Sequence, residues 1–179
     1  MHDLSLVTSL FRSERYIGNY VRHALSVASE LRAKGISLEL VIVANDATRR
    51  EKRFIERLSS EASATGSASV MSLFVPHERL YASWNRGVRA SSGQCVGFWN
   101  VDDVRNADAL VEGVRMIQAG ADLVYFPFVE LDLLYVRKRQ RIIPQGLSNR
   151  MQYLAFYFPR VSEFDRKEFT RSMHCGPFF

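Results

Sequence analysis

The apolar positions change period along the chain. Leu4 to Leu10 is a short, largely apolar run followed by the polar Ser13 and Glu14, after which Ile17, Tyr20, Val21, Ala24, Leu25, Ala28 and Leu31 recur at three and four residues. The first pattern predicts a strand. The second predicts an amphipathic helix, with Ser13 as N-cap, Glu14 in an acidic first turn and Lys34-Gly35 as the stop. Leu38 to Ala44 is apolar except for Glu39, as in a strand covered on both faces, and Asn45-Asp46 ends it before a second helix holding Phe54, Ile55 and Leu58. Ala62 to Ser69, small residues around Gly66, reads as a surface loop ahead of a third strand, Val70 to Val75. A helix over Tyr81 to Ala90 is closed by Ser92-Gly93 and leads to a fourth strand, Cys95 to Trp99. Asn106 is placed to cap a helix with core positions Leu110, Val111, Val114 and Ile117. Asp122 to Phe128 is expected as a fifth strand and Leu131 to Val136 as a further one.

Strands alternating with helices over short connections imply an α/β fold with a mostly parallel sheet, right-handed crossovers and helices on both faces. Such sheets bind ligands beyond the carboxyl ends of their strands. With 179 residues and 47% hydrophobic content, the chain can bury a sizeable core. Its net charge of +5 rests on 24 basic residues, 20 of them Arg, a composition suited to bidentate pairing with phosphate or carboxylate. The basic run Arg137 to Arg141 reads as a solvated turn rather than a nucleic-acid patch, so nucleic acid is not an expected partner. Cys95 and Cys175 lack the spacing of a zinc site or disulfide framework, and the four histidines show no metal-ligand spacing. No secretory leader or transmembrane segment is legible, and a reducing, cytoplasmic setting is expected. The apolar ending Cys175 to Phe179 suggests a truncated chain.

Three segments fall where such a sheet presents ligands. Asn100-Val101-Asp102-Asp103 follows the fourth strand, and adjacent carboxylates repel one another unless a cation stands between them; oxygen donors suit Mg²⁺ or Mn²⁺ in contact with phosphates. The structural alternative is an acidic lead-in to the next helix, whose dipole favours negative charge. Asn45-Asp46 follows the second strand, where Asp46 either accepts from a base or ribose or caps the second helix. Thr8-Ser9-Leu10-Phe11-Arg12 follows the first, offering hydroxyls, an aromatic face and a guanidinium without the glycines of the dinucleotide fingerprint.

The stretch Leu80 to Gly93 is the most distinctive. Trp84-Asn85-Arg86-Gly87, then Ser92-Gly93, then Asn100 to Asp103 resembles, in order and spacing, the motif series of family 2 glycosyltransferases with the A-type fold. Leu6 to Arg12 resembles that family's first strand and base-binding loop, Ile42 to Thr48 its Val-Asp-Asp-Gly-Ser-Thr segment, and His174 to Phe179 gives a weaker echo. The resemblance implies a three-layer sandwich around a Rossmann-like open sheet, the nucleotide-diphospho-sugar transferase fold. Residues 1–130 would bind the nucleotide sugar, and 131–179 would begin an acceptor-side region. It further implies transfer of a sugar from a nucleoside diphosphate sugar, uridine-linked by analogy, to a glycan, lipid or protein acceptor, with Mg²⁺ or Mn²⁺. By the same resemblance Thr8, Ser9, Phe11, Arg12 and Asn45 belong to the nucleotide-sugar pocket, Asp46 faces the base, and Asn85 and Arg86 lie near diphosphate or ribose. Asp102 is the principal metal ligand, with Asp103 assisting or holding the ribose and Asn100 supplying an oxygen.

The chain departs from the pattern at Ser9 to Arg12, where the family has Pro-x-Tyr-Asn, and at Asn100, where it has Asp. The family's catalytic carboxylate follows a Gly-Pro-aromatic stretch, and this sequence stops at Gly176-Pro177-Phe178-Phe179. The alternatives weighed are a truncated or degenerate domain that binds nucleotide sugar without catalysis, and a nucleotidyltransferase. The latter should show a glycine-rich basic loop after the first strand, and Ser9 to Glu14 lacks glycine.

Overall fold

The computed structural model describes residues 1–124 and, beyond them, the backbone of residues 130–134 and 152–157. In chain order the first unit comprises β1 (His2–Leu10), α1 (Ile17–Ala33), β2 (Leu38–Asn45), α2 (Arg49–Thr65), β3 (Ser69–Val75), α3 (Leu80–Ala90), β4 (Gly93–Phe98) and α4 (Ala107–Gln118). Its four strands are all parallel, in the order β3-β2-β1-β4. A second unit carries β5 (Glu130–Leu134) and β6 (Gln152–Tyr157), an antiparallel pair with an irregularity between Asp132 and Leu133.

Strand pleating decides which residues enter which layer. Leu4, Leu6 and Leu10 of β1 and Leu38, Leu40, Ile42 and Ala44 of β2 share one core with Ile17, Tyr20, Val21, Ala24, Ala28 and Leu31 of α1 and Leu110, Val111 and Val114 of α4. Every residue of β2 is buried, as its continuous apolar run requires of a central strand. The opposite face belongs to α3, which packs on β1 and β2 through Gly87. A Cβ at Gly87 would run into the Val7 side chain and crowd Val43, so glycine lets this helix approach the sheet. The result is the expected three-layer α/β sandwich around a parallel, Rossmann-like sheet.

Helix ends depart from expectation in instructive ways. Ser13 does not cap α1, which begins at Ile17 with no side-chain cap. The Ser13 hydroxyl stays within its own loop near Phe11, its N–H donates to Glu51 Oε1 (2.6 Å), and Glu14 accepts from Thr48 Oγ1 (2.7 Å). Nor does Asp46 cap α2. That role falls to Thr48, in a capping box with Glu51: Thr48 N–H donates to Glu51 Oε2 (2.8 Å) and Glu51 N–H to Thr48 Oγ1 (3.2 Å). Glu51 is fully buried, so one carboxylate fastens both the start of α2 and the loop after β1. The small-residue stretch from Ala62 is not all loop. α2 runs to Thr65 with Ala62 in the core, stops at the left-handed Gly66, and β3 begins at Ser69. Of the fifth strand expected over Asp122 to Phe128, residues 122–124 are irregular and the rest lie outside the described residues. The further strand is β5, ending at Leu134; Tyr135 and Val136, the basic run 137–141 and the segment 174–179 also lie outside them.

The one polar position of β2's apolar run anchors the sheet's amino end. Glu39 is buried on the α3 face and accepts from Ser5 Oγ (2.5 Å), Ser92 N–H (2.8 Å) and Ser92 Oγ (2.9 Å), tying β2 to β1 and to the turn before β4. Burial alone would push its carboxyl up, but these donors favour the charged form and bring it below its ordinary 4.5. A depressed acid stabilises the fold fully above 4.5 and loses that contribution as pH falls through the lowered folded-state value. Glu39→Gln is therefore expected to cost about 1–3 kcal/mol at neutral pH. The gap to wild type in urea denaturation should narrow as the pH drops below 4.5. A gap independent of pH would show that the carboxylate's charge is not what the three donors stabilise.

Candidate functional site

Because the large sheet is parallel, the segments after β1, β2, β3 and β4 all leave it at one end. The chain lays β2 and then β3 outward on one side of β1 and returns to place β4 on the other. Strand order thus reverses between β1 and β4, and α/β sheets bind ligands outside the carboxyl ends of their strands at such a point. Phe11-Arg12 follow β1, Asn100 to Asp103 follow its neighbour β4, and Asp46 follows β2 on the other side of β1. β2 and β4 flank β1 at about 10 Å from one another, and β2 runs to Asn45, four residues past the level of Val41 at which β4 stops, so the two strand ends are roughly 16 Å apart.

Two backbone positions on this edge are in the left-handed region without being glycine, Arg12 (φ 50°) and Asp46 (φ 49°). Such conformations cost about 1 kcal/mol or more and cluster where side-chain direction matters. Both side chains are exposed. Asp46 is steadied by its N–H donating to the Val75 carbonyl (2.9 Å), and Arg12 lies over the exposed Phe11 ring at 5.1 Å. His77, in the loop after β3, meets the same ring with 4.6 Å between centroids.

Two expected pocket residues face elsewhere. Thr8 has the strand parity of Leu4, Leu6 and Leu10; it is fully buried, with Oγ1 2.8 Å from the Tyr20 hydroxyl, whose acidity burial suppresses. Asn45 is buried and fully committed. Its amide donates to the Glu78 carbonyl (2.7 Å) and Ser83 Oγ (3.1 Å), while its carbonyl accepts from Glu78 N–H (2.9 Å). It shapes the loop after β3 and has no donor left for a base. Ser9 is half-buried on the α3 face, and Asn85 is exposed on α3. Arg86 is exposed but paired: Nε and Nη2 donate to the two oxygens of Glu78 at 3.1 and 2.9 Å. That fork, with a further donor from Ser83, keeps the Glu78 carboxyl below its usual range. Neither Glu78 nor His77 was legible as part of this edge, since an eight-residue separation from Arg86 follows no helical or strand period; the only sequence signal is position after a parallel strand.

The acidic segment is an ordered loop. Trp99, fully buried, packs edge-on against Tyr20 (5.3 Å) and His23 (5.5 Å), and its Nε1 donates to the Asp103 carbonyl (3.1 Å). Asp103 Oδ2 accepts from Asn100 Nδ2 (3.2 Å) and lies 3.8 Å from Arg105 Nη2. Its carboxyl is raised, chiefly by burial, with Asp102 adding to the rise and Arg105 opposing it. Asp102 is exposed and makes no hydrogen bond or ion pair among the described residues.

The model of glycosyl transferase family 2 matches residues 5–178. The chain belongs to this family. No curated protein matches it significantly in sequence. Among solved structures, a TarS structure from S. aureus is similar with a TM-score of 0.53 and 16% identity, over 80% of this chain and 39% of that one. A 4-diphosphocytidyl-2C-methyl-D-erythritol synthase from Anaerococcus prevotii is similar with a TM-score of 0.51 and 12% identity, over 89% and 69%. Likeness at such identities speaks to the fold. The chain spans well under two thirds of the TarS structure.

Family 2 glycosyltransferases commonly use a divalent cation. Among the described residues no three His, Cys, Asp or Glu side chains are grouped to hold one, and no helix is long and apolar enough to cross a membrane. The donors on the lip after β4 are nevertheless all oxygen: the carboxylates of Asp102 and Asp103, and Asn100 Oδ1 beside its committed amide nitrogen. One or two carboxylates completed by substrate phosphates is the ordinary way proteins take Mg²⁺, so this set fits a cation shared with a diphosphate.

Proposed function

We propose that this chain binds a nucleoside diphosphate sugar across the carboxyl ends of β2, β1 and β4, and that the protein transfers the sugar to a glycan, lipid or protein acceptor. The observation that supports the reading is that the Phe11-Arg12 loop and the Asp102-Asp103 loop follow adjacent parallel strands, β1 and β4, where strand order reverses. Exposed Phe11 offers a face to the base, and Asp46 an acceptor for a base N–H or ribose hydroxyl. Arg12 offers donors to phosphate oxygens. Asn85 and Arg86 border the site from α3, with Arg86 aimed by Glu78. Thr8 and Asn45 act from behind, through Tyr20 and the loop after β3. Asp102 is the principal ligand for Mg²⁺ or Mn²⁺, and Asp103 and Asn100 Oδ1 are the nearest further oxygens. The bound cation would stabilise the charge left on the departing diphosphate. A uridine-linked donor is the one the family resemblance favours. Residues 1–130 form the donor side in this reading, and 131–179 contribute toward the acceptor.

The test is calorimetric titration of UDP, CDP and GDP into the chain with Mn²⁺ or with EDTA. UDP is expected to bind most tightly, and at least about tenfold more weakly without the cation. Absence of binding by all three nucleotides would remove the donor site. UDP binding with no release of sugar from any UDP-sugar would favour a binding domain over an enzyme.

A further inference from the structure

The loop after β4 contains a cation of its own. Arg105 lies seven residues beyond Phe98, yet its Nη2 reaches back to donate to the Phe98 carbonyl (2.5 Å), the last residue of β4. Its backbone is fixed as well, with Arg105 N–H donating to His23 Nε2 on α1 (3.0 Å). Two more bonds close the loop around it, from Asp103 N–H to the Asn100 carbonyl (3.1 Å) and from Trp99 Nε1 to the Asp103 carbonyl (3.1 Å). The Arg105 side chain is 10% exposed, against 43% for Asp103, whose Oδ2 is 3.8 Å away.

A guanidinium is an expensive way to hold a carbonyl. Burying a charge costs several kcal/mol unless an opposite charge compensates, and a neutral amide would satisfy the Phe98 carbonyl without that penalty. An opposite charge does stand beside it, the Asp103 carboxylate with its Oδ2 3.8 Å from Arg105 Nη2. Asp102 and Asp103 contribute two negative charges and Arg105 one positive, which leaves one negative charge on the unliganded loop. Asn100, amide rather than acid, acts in the same direction and adds a hydrogen bond to Asp103.

We propose that Arg105 is a positioning residue for the cation site: a resident counter-charge that holds Asp103 in place and weakens the loop's affinity for a bare divalent ion. The inference rests on the assignment of the cation to Asp102. Its consequence is an order of binding. A loop with one net negative charge attracts a free cation weakly, whereas a cation already carried by a diphosphate brings its own oxygen ligands and meets the positive Arg12 lip as well. The cation accordingly enters with the nucleotide rather than before it.

The experiment measures binding of Mn²⁺ alone to the full chain, without nucleotide, from the electron paramagnetic resonance signal of the free ion. Arg105→Gln removes the charge and, because its amide nitrogen stands where Arg105 Nε does, also gives up the reach of Nη2 to the Phe98 carbonyl. It is expected to tighten Mn²⁺ binding about tenfold, while Arg105→Lys, charge retained, stays within about twofold of wild type. A purely structural arginine predicts the opposite sign, since a loosened loop binds metal more weakly. Equal or weaker Mn²⁺ binding by Arg105→Gln overturns the inference. If that variant lacks a cooperative melting transition, Arg105→Met carries the same expectation and the same reversal. Wild type and Asp102→Asn binding Mn²⁺ identically would instead strike at the cation assignment, a failure distinguishable from that of Arg105.

Discussion

Trp99→Ala is expected to destabilise the first unit by about 3–5 kcal/mol, the range for removing a buried aromatic side chain. Trp99 is fully buried in the core, where Tyr20 and His23 of α1 meet its ring edge-on. Truncation leaves a cavity where α1 and β4 converge, and it also removes the donor to the Asp103 carbonyl. Because this side chain serves both core and loop, two measurements should move together: the urea midpoint falls, and UDP–Mn²⁺ affinity falls further than the fraction of folded protein explains. Trp99→Phe fills most of the cavity but cannot donate to Asp103, so it should retain most of the stability and lose a larger share of the affinity. An alanine variant within about 1 kcal/mol of wild type would show that the indole is not a keystone of this corner.

The same residue shows how far the sequence could be read. Trp99 ended a run that looked like a buried strand, and the apolar periods located β1 to β4 and α1 to α4 to within a few residues because each element has one dominant covered face. The parallel order followed from alternation alone. What failed were features set by a partner distant in sequence. Ser13 precedes α1 in the manner of a cap, yet its N–H is taken by Glu51, 38 residues on.

Within the candidate site, the strand-end rule brought Arg12, Asp46 and Asp102 to one edge. It could not tell a residue facing the crevice from one serving its walls. Thr8 was within reach of better reading, because it shares the parity of three leucines on a strand whose other face carries Ser5, Val7 and Ser9. The Thr48-x-x-Glu51 box was equally visible and would have relieved Asp46 of a capping role. The commitments of Asn45 to Glu78, of Arg86 to Glu78, and of Arg105 to Phe98 and Asp103 have no such signature. Each depends on how loops fold back over the sheet's end.

Asp102→Asn is expected to reduce cation-supported UDP binding by about tenfold or more, up to the full contribution of the cation, with little change in the melting temperature. The separation of the two effects comes from the residue's surroundings. Asp102 is exposed and bonds to no described group, so its loss unseats nothing in the fold. Its carboxylate also repels Asp103, and removing that repulsion favours the unliganded loop slightly. An amide of the same shape keeps one oxygen but surrenders the charge, and charge is what a divalent cation between protein and diphosphate requires. In the presence of EDTA, wild type and Asp102→Asn should bind UDP alike, because the base and ribose contacts assigned to Phe11 and Asp46 remain. Asp103→Asn should behave differently, losing the ion pair with Arg105 and weakening the acceptor for Asn100, so that stability falls along with affinity. Were Asp102→Asn to bind UDP with Mn²⁺ as tightly as wild type, the cation would have to be held by other ligands, and the lip after β4 would reduce to an acidic lead-in to α4.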